Sequence, residues 1–272
     1  MSVLNRLFLF LPVAALALWG CAQKEPAEAE SHEVRWGYEG DEGPAYWAGL
    51  DSTFATCGSG AEQSPIDLAG AIPSSEVLRP HEVTETILTV SQRAQVMDII
   101  DNGHTIQITN DIPMKVELGG TDFELVQYHF HAPSEHTIDG EHAPLEVHFV
   151  HRSASGELAV LGVLVEEGAH DPVWDFVLEQ LPDGPGDDRH LEDLDLDPDE
   201  FLPLPKRYYR YEGSLTTPPC SEGVHWAVMA DKRHISTEQM AEIVSHLHDN
   251  YRPVQPLGER TLRLVSDEDP AN

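Results

Sequence analysis

Gln127-Tyr128-His129-Phe130-His131 is the stretch from which the rest of the chain can be read. In an extended strand successive side chains point to opposite faces. Gln127, His129 and His131 therefore share one face, and Tyr128 and Phe130 share the other, which asks for apolar packing. Leu145-Glu146-Val147-His148-Phe149-Val150 has the same character, with His148 on one face beside Glu146 and Val150. Two imidazoles from one strand and a third from a neighbour can meet at one metal ion. Three neutral imidazoles suit Zn²⁺ and leave its fourth tetrahedral position open, the mark of a catalytic rather than a structural site. Gln127 and Glu146 suit the acceptors that a ligating imidazole needs at its other nitrogen. His-x-His alone is a weak signal in a chain with 15 histidines. His136, His142, His151 and His225 lack a partner at matching spacing, so they read as hydrogen-bonded or surface residues, and parity turns His151 away from His148.

Outward from this stretch, β-rich runs dominate. Strands are expected at 86–90, 96–101, 105–109, 114–118, 123–131, 145–151, 158–165 and 224–231. Turn dipeptides separate many of them: Asn102-Gly103, Gly119-Gly120, Asp139-Gly140 and Ser155-Gly156. Helices are expected at 172–181 and 237–248, the second opened by Ser236 as N-cap with Gln239 three residues on, a capping box. The acidic stretch 184–200 reads as a surface loop. No linker divides residues 35–266, so the fold class is mostly β (α+β): a single domain on a large, predominantly antiparallel sheet with a few helices.

The 272 residues carry 48 acidic and 16 basic side chains, a formal charge of −32. Phosphate backbones need a basic surface, so nucleic acid is excluded as a partner. Two readings of the acidic, lysine-poor surface stand side by side: adaptation to concentrated salt, or plain solubility. At the N-terminus Arg6 precedes an uncharged apolar run, 7–19, shorter than the ~20 residues that span a bilayer. It reads as a signal peptide over 1–21. Leu18-Trp19-Gly20-Cys21 resembles a lipoprotein box that would lipidate Cys21. Trp19 is bulky for that box, which keeps ordinary signal-peptidase cleavage as the alternative. Residues 22–34 read as a flexible tether and 267–272 as a tail. Lipidation of Cys21 leaves Cys57 and Cys220, which export permits to pair; the alternative is two buried thiols. The expected location is the periplasm or cell envelope, with membrane attachment through the lipid and a homodimer as further open partners.

Gln-Tyr-His-Phe-His-Ala-Pro-Ser-Glu-His-Thr (127–137) resembles the zinc-ligand strand of the alpha carbonic anhydrases. The likeness continues, in family order, through Gln63-Ser64-Pro65-Ile66-Asp67, Asn102-Gly103-His104, Leu145-Glu146-Val147-His148, Gly213-Ser214-Leu215-Thr216-Thr217-Pro218-Pro219-Cys220 and Asn250-Tyr251-Arg252-Pro253. It implies a twisted sheet with one zinc ion at the base of a conical cleft, held by His129, His131 and His148. It implies zinc-hydroxide attack on CO2 to give bicarbonate, with Thr216 orienting the hydroxide, Glu135 accepting the Thr216 proton and His104 shuttling protons. Asn250 would support a ligand histidine through its backbone. Tyr38, Asn102, Gln107 and Thr217 match positions that order the water chain, although Gln107 stands where asparagine is commoner. Val150, Val160, Leu215, Val224 and Trp226 match the apolar wall for CO2, and Val150 fits independently through its face. Two rivals are weighed against this. A non-catalytic relative would typically lack a zinc histidine, and here all three are present. A zinc hydrolase acting mainly on esters finds no His-Glu-x-x-His and no Gly-x-Ser-x-Gly.

Overall fold

The computed structural model describes residues 34–74, 79–80, 96–110, 115–192, 198–203 and 207–265. The expected signal peptide with Cys21, the tether up to residue 33, the strand at 86–90 and the tail 267–272 lie outside the described residues.

In chain order the strands are β1 (Ile72–Ser74), β2 (Arg79–Pro80), β3 (Met97–Asp101), β4 (Ile106–Asn110), β5 (Lys115–Leu118) and β6 (Thr121–His131). Then come β7 (Thr137–Ile138), β8 (Glu141–His142), β9 (Leu145–Ser153), β10 (Leu158–Glu167) and β11 (Asp188–Leu191). The series ends with β12 (Tyr208–Ser214), β13 (Glu222–Met229), β14 (Arg233–Ile235) and β15 (Arg263–Val265). Helices α1 (Trp47–Leu50) and α2 (Thr56–Ser59) precede β1, α3 (Pro172–Glu179) lies between β10 and β11, and α4 (Thr237–Ser245) between β14 and β15. One large sheet runs β1-β15-β12-β13-β10-β9-β6-β4-β3-β11, with β5 beside the first half of β6. Its pairs are antiparallel except β1·β15, β10·β13 and β10·β14.

Strand alternation builds the core. Tyr128, Phe130, Val147 and Phe149 are fully buried in the main apolar cluster, which α3 and α4 cover through Trp174, Val177, Met240 and Ile243. The α4 capping box forms as expected, with the Ser236 hydroxyl accepting from Gln239 N–H and the Gln239 side chain accepting from Ser236 N–H. Both helices stop earlier than expected. One expectation is overturned: 184–200 is not all loop. Asp188–Leu191 forms β11 against β3, with His190 Nδ1 2.5 Å from Asp98 Oδ1. The backbone ladder makes this edge strand, although its side chains alternate little in polarity.

His151 faces the core as parity requires, 0% exposed, with Nδ1 2.8 Å from Phe149 O. Burial pulls its pKa from 6.5 down to about 4, against hydrogen bonds that raise it. The folded state keeps this ring neutral, whereas the unfolded chain protonates it below its ordinary pKa. Its contribution is therefore whole above pH 6.5 and lost as pH falls towards 4, in total ~3 kcal/mol at about 1.4 kcal/mol per unit. Stability measured by urea unfolding should fall less steeply over that window in His151→Leu than in wild type. Equal slopes would show that His151 carries no such linkage.

Candidate metal centre

The register of β6, β9 and β10 assembles the site. His129 lies directly across from His148, and His131 from Glu146. Gln107 on β4 flanks His129 on the other side. Behind His148 the partner on β10 is Gly162, where a Cβ would stand 2.9 Å from Glu146 Oε1. A side chain there would press on the carboxylate that faces His148.

The three rings converge, with centroids 4.6–5.3 Å apart and one nitrogen of each within 4.8 Å of the others. Each ring is also held from behind. His129 Nδ1 is 2.9 Å from Gln127 Oε1, His131 Nδ1 is 2.6 Å from Asn250 O, and His148 Nε2 lies 2.9 Å from Glu146 Oε1. These contacts leave His129 Nε2, His131 Nε2 and His148 Nδ1 facing inward. His131 Nε2 is buried and makes no hydrogen bond. A buried polar atom without a partner is costly in a native structure, and a metal ion satisfies it. Burial lowers the pKa of all three histidines, that of His131 to about 4. Their rings are thus neutral near pH 7 and need lose no proton to bind a cation. By residue type, burial and direction, the set fits zinc.

His136 lies beside this group but is fully engaged. Its Nδ1 is 2.7 Å from Glu146 Oε1 and its Nε2 2.7 Å from Tyr211 Oη. Glu146 Oε2 accepts the Glu135 and His136 N–H groups at 2.8 and 2.9 Å. Burial pushes the Glu146 carboxyl up, but His136 and His148 outweigh it and hold the pKa well below the usual range.

Glu135, 0% exposed, accepts the Arg252 backbone N–H on Oε1 at 2.8 Å. Its Oε2 faces His131 Nε2 at 3.7 Å and His148 Nδ1 at 3.8 Å. Burial raises its pKa to about 7, opposed by His148, the Thr216 hydroxyl and the Arg252 N–H. Thr216 is buried and Thr217 half-buried. Val160, Val224 and Trp226 form one apolar cluster, with Val150 and Leu215 packed against it. Val150, Val160 and Trp226 are successive neighbours across β9, β10 and β13.

His104 sits on the turn before β4, half-buried, stacked on Trp36 with centroids 3.8 Å apart and planes at 4°. Tyr38 meets it edge-on at 6.4 Å. Asn102 Oδ1 accepts the His104 and Thr105 N–H groups, so this side chain pins the turn. Asn250 joins the two regions, donating from Nδ2 to His104 O and Phe130 O at 2.9 Å. Cys57 and Cys220 form a disulfide.

Sequence reasoning assigned no role to Trp36, Tyr211 or Arg252, whereas His136 is hydrogen-bonded as expected. Arg252 is 2% exposed and donates to Gln63 Oε1, Ser64 O and Cys57 O. The Asn250-Tyr251-Arg252-Pro253 block was its only signal.

A twisted sheet with three inward imidazoles, a buried carboxylate and an adjoining apolar wall defines a metal-dependent enzyme. The family model for eukaryotic-type carbonic anhydrase matches residues 42–266. A carbonic anhydrase of Nostoc sp. is 40% identical over 237 residues, spanning 87% of this chain and 88% of that one. The alpha-carbonic anhydrase of Thermovibrio ammonificans, solved with the inhibitor sulfanilamide, superposes with a TM-score of 0.76 at 40% identity. That match covers 85% of this chain and 99% of the other. The enzyme from Photobacterium profundum gives a TM-score of 0.74 at 36% identity, over 84% and 99% of the two chains. The chain belongs to the alpha carbonic anhydrase family, and its activity is the reversible, zinc-dependent hydration of carbon dioxide.

Proposed function

We propose that His129, His131 and His148 hold one Zn²⁺ ion and that the cleft around them interconverts CO2 and bicarbonate. The observation that carries this reading is the buried, unpartnered Nε2 of His131 among two further neutral imidazoles. Zinc held there supplies a Lewis acid that makes water a nucleophile near neutral pH, chemistry for which carbonic anhydrases are the standard case.

The chain's own groups orient, exclude and relay. Gln127, Glu146 and the Asn250 carbonyl fix the three ring orientations. A threonine hydroxyl has one proton to donate and lone pairs to accept with. Thr216 donates towards Glu135, so its oxygen is left to accept from the attacking O–H and aim it. Val150, Val160, Leu215, Val224 and Trp226 offer uncharged CO2 an apolar wall. His104 moves the released proton to solvent, since an imidazole exchanges protons near neutrality. Tyr38, Asn102, Gln107 and Thr217 order the water between.

His104→Ala should slow turnover in dilute buffer by ~100-fold, the lower end of the 10²–10⁴ typical of a positioned acid–base group, and imidazole should restore it. An unchanged rate in dilute buffer would remove His104 from the relay. The function itself is tested by stopped-flow CO2 hydration of zinc-loaded protein with and without a sulfonamide, beside ester turnover on the same preparation. Fast, sulfonamide-sensitive hydration is expected, with ester cleavage the slower reaction; inert zinc-loaded protein would contradict the reading.

We also place the enzyme outside the cytoplasm, in the periplasm or cell envelope. The Cys57–Cys220 disulfide supports an oxidising compartment, and the leader at 1–21 supports export, with Cys21 as the lipid-bearing residue. No helix among the described residues is long and apolar enough to cross a membrane.

A further inference from the structure

Among the described residues Arg252 is the only buried arginine, 2% exposed, and no carboxylate lies in ion-pair contact with it. A buried charge is costly unless it is paired and hydrogen-bonded, so its surroundings call for a reason. The guanidinium is directed at uncharged acceptors. Nη1 donates to Gln63 Oε1 at 3.0 Å and to Ser64 O at 2.8 Å, and Nη2 donates to Cys57 O at 2.8 Å. The guanidinium carbon lies 5.7 Å from the centre of the Trp47 ring. These contacts fix the side chain and, with it, the backbone of residue 252. The Arg252 N–H is thereby aimed at Glu135 Oε1, 2.8 Å away. Burial works against the guanidinium charge, and the group that favours it is again Glu135.

These bonds belong to a closed ring. From Glu135 it passes to the Arg252 backbone, and through Arg252 Nη1 to Gln63 Oε1. Gln63 Nε2 donates to Cys220 O at 3.1 Å, and the Cys220 N–H donates to Thr217 O at 2.8 Å. The Leu215 N–H meets Ser221 O at 2.9 Å, which closes the loop 215–221 on itself. Thr217 adjoins Thr216, whose hydroxyl leads back to Glu135. Glu135 Oε1 is occupied by the Arg252 N–H, whereas Oε2 is buried with no other hydrogen bond, so Oε2 is the oxygen left for that hydroxyl.

We infer that Arg252 is a positioning residue for the reaction: its guanidinium fixes Glu135 against Thr216, and so fixes the direction from which Thr216 accepts the attacking O–H. This role rests on the Thr216–Glu135 contact of the proposed mechanism. A lysine would carry the same charge on a single donor centre and lacks the planar fork that meets three acceptors at once. The step affected is attack on CO2, which kcat/KM reads. Proton release through His104 is a different step, which kcat reads in dilute buffer. Arg252 also lies over Trp47, which meets Trp36 at 5.4 Å beneath His104. A role on that side, or a general loosening, would therefore lower kcat as well.

The test is a double-mutant cycle on zinc-loaded protein, with zinc per chain and circular dichroism recorded for every variant and rates taken well below each Tm. Arg252→Met should lower kcat/KM for CO2 hydration by tens of fold, within the ~100-fold that a misplacement of about 1 Å can cost. Its zinc content and its kcat in dilute buffer should stay at wild-type values. Arg252→Lys should recover little of the loss. In a Thr216→Ala background Arg252→Met should cost almost nothing further, because residues that act as a unit are non-additive. Should Arg252→Met not fold, Gln63→Met breaks the same ring and carries the same expectations. Wild-type kcat/KM in the folded variant, loss of zinc, an equal fall in kcat/KM and kcat, full recovery by lysine, or the same loss in both backgrounds overturns the assignment. Thr216→Ala with wild-type kcat/KM would show instead that the orientation of the hydroxide by Thr216 is wrong, and would remove the role of Arg252 with it.

Discussion

Replacing His131 by alanine is expected to strip the protein of zinc and of CO2 hydration while leaving the sheet folded. His131 Nε2 is a buried nitrogen of the site that makes no hydrogen bond, and its other nitrogen is fixed by Asn250 O at 2.6 Å. Loss of a mere supporting hydrogen bond behind a ligand costs ~10–100-fold in metal affinity or activity, so loss of the ligand itself should cost more than that. The fold should survive because the main apolar cluster, centred on Tyr128, Phe130 and Phe149, lies on the other face of the same strands. Zinc per chain by plasma mass spectrometry, beside a circular-dichroism melt, checks both halves. A folded variant with full zinc and full activity would remove His131 from the metal site.

Reduction of the Cys57–Cys220 disulfide should have the next largest effect. The bond spans 163 residues, and for so long a loop the chain-entropy model gives about 5 kcal/mol. Stabilities of single domains are commonly ~5–15 kcal/mol, so the reduced protein stands near the edge of unfolding. For a domain of this size the change corresponds to ~10–20 °C in Tm. The bond also braces the site. Arg252 Nη2 donates to Cys57 O, Gln63 Nε2 donates to Cys220 O, and Cys220 N donates to Thr217 O. Arg252 in turn places its N–H on Glu135. Activity should therefore fall at temperatures where the oxidised enzyme is stable. Melts of Cys57→Ser/Cys220→Ser against the oxidised wild type measure this, and equal Tm values would contradict it.

The metal face was legible because β6 and β9 are regular strands in which parity alone decides facing. His129, His131 and His148 converge as their spacing requires, and His151 turns to the core. The turns were legible where glycine is needed: Gly103, Gly120, Gly140 and Gly156 all have positive φ. Eight of the described strands, β1, β2, β7, β8, β11, β12, β14 and β15, were not read, and the two longest of them show why. Tyr208–Ser214 buries Tyr208 and Tyr211, residues of opposite parity, so no alternation marks it. Asp188–Leu191 has one apolar residue in four, and its pairing with β3 comes from backbone groups that any residue carries. Arg252 was illegible for another reason. Its partners at Ser64 and Cys57 stand 188 and 195 residues away, and no local pattern announces a buried arginine. Likewise Trp36 stacks on His104 only because the N-terminal segment returns to the turn before β4.

Stopped-flow CO2 hydration on one preparation, stripped of metal with a chelator and then titrated with Zn²⁺, is the most direct test of the three-histidine centre. Activity should be absent in the stripped protein and rise linearly to a plateau at one zinc per chain. Hydration that persists without metal, or that stays absent at full zinc occupancy, would contradict the assignment of His129, His131 and His148.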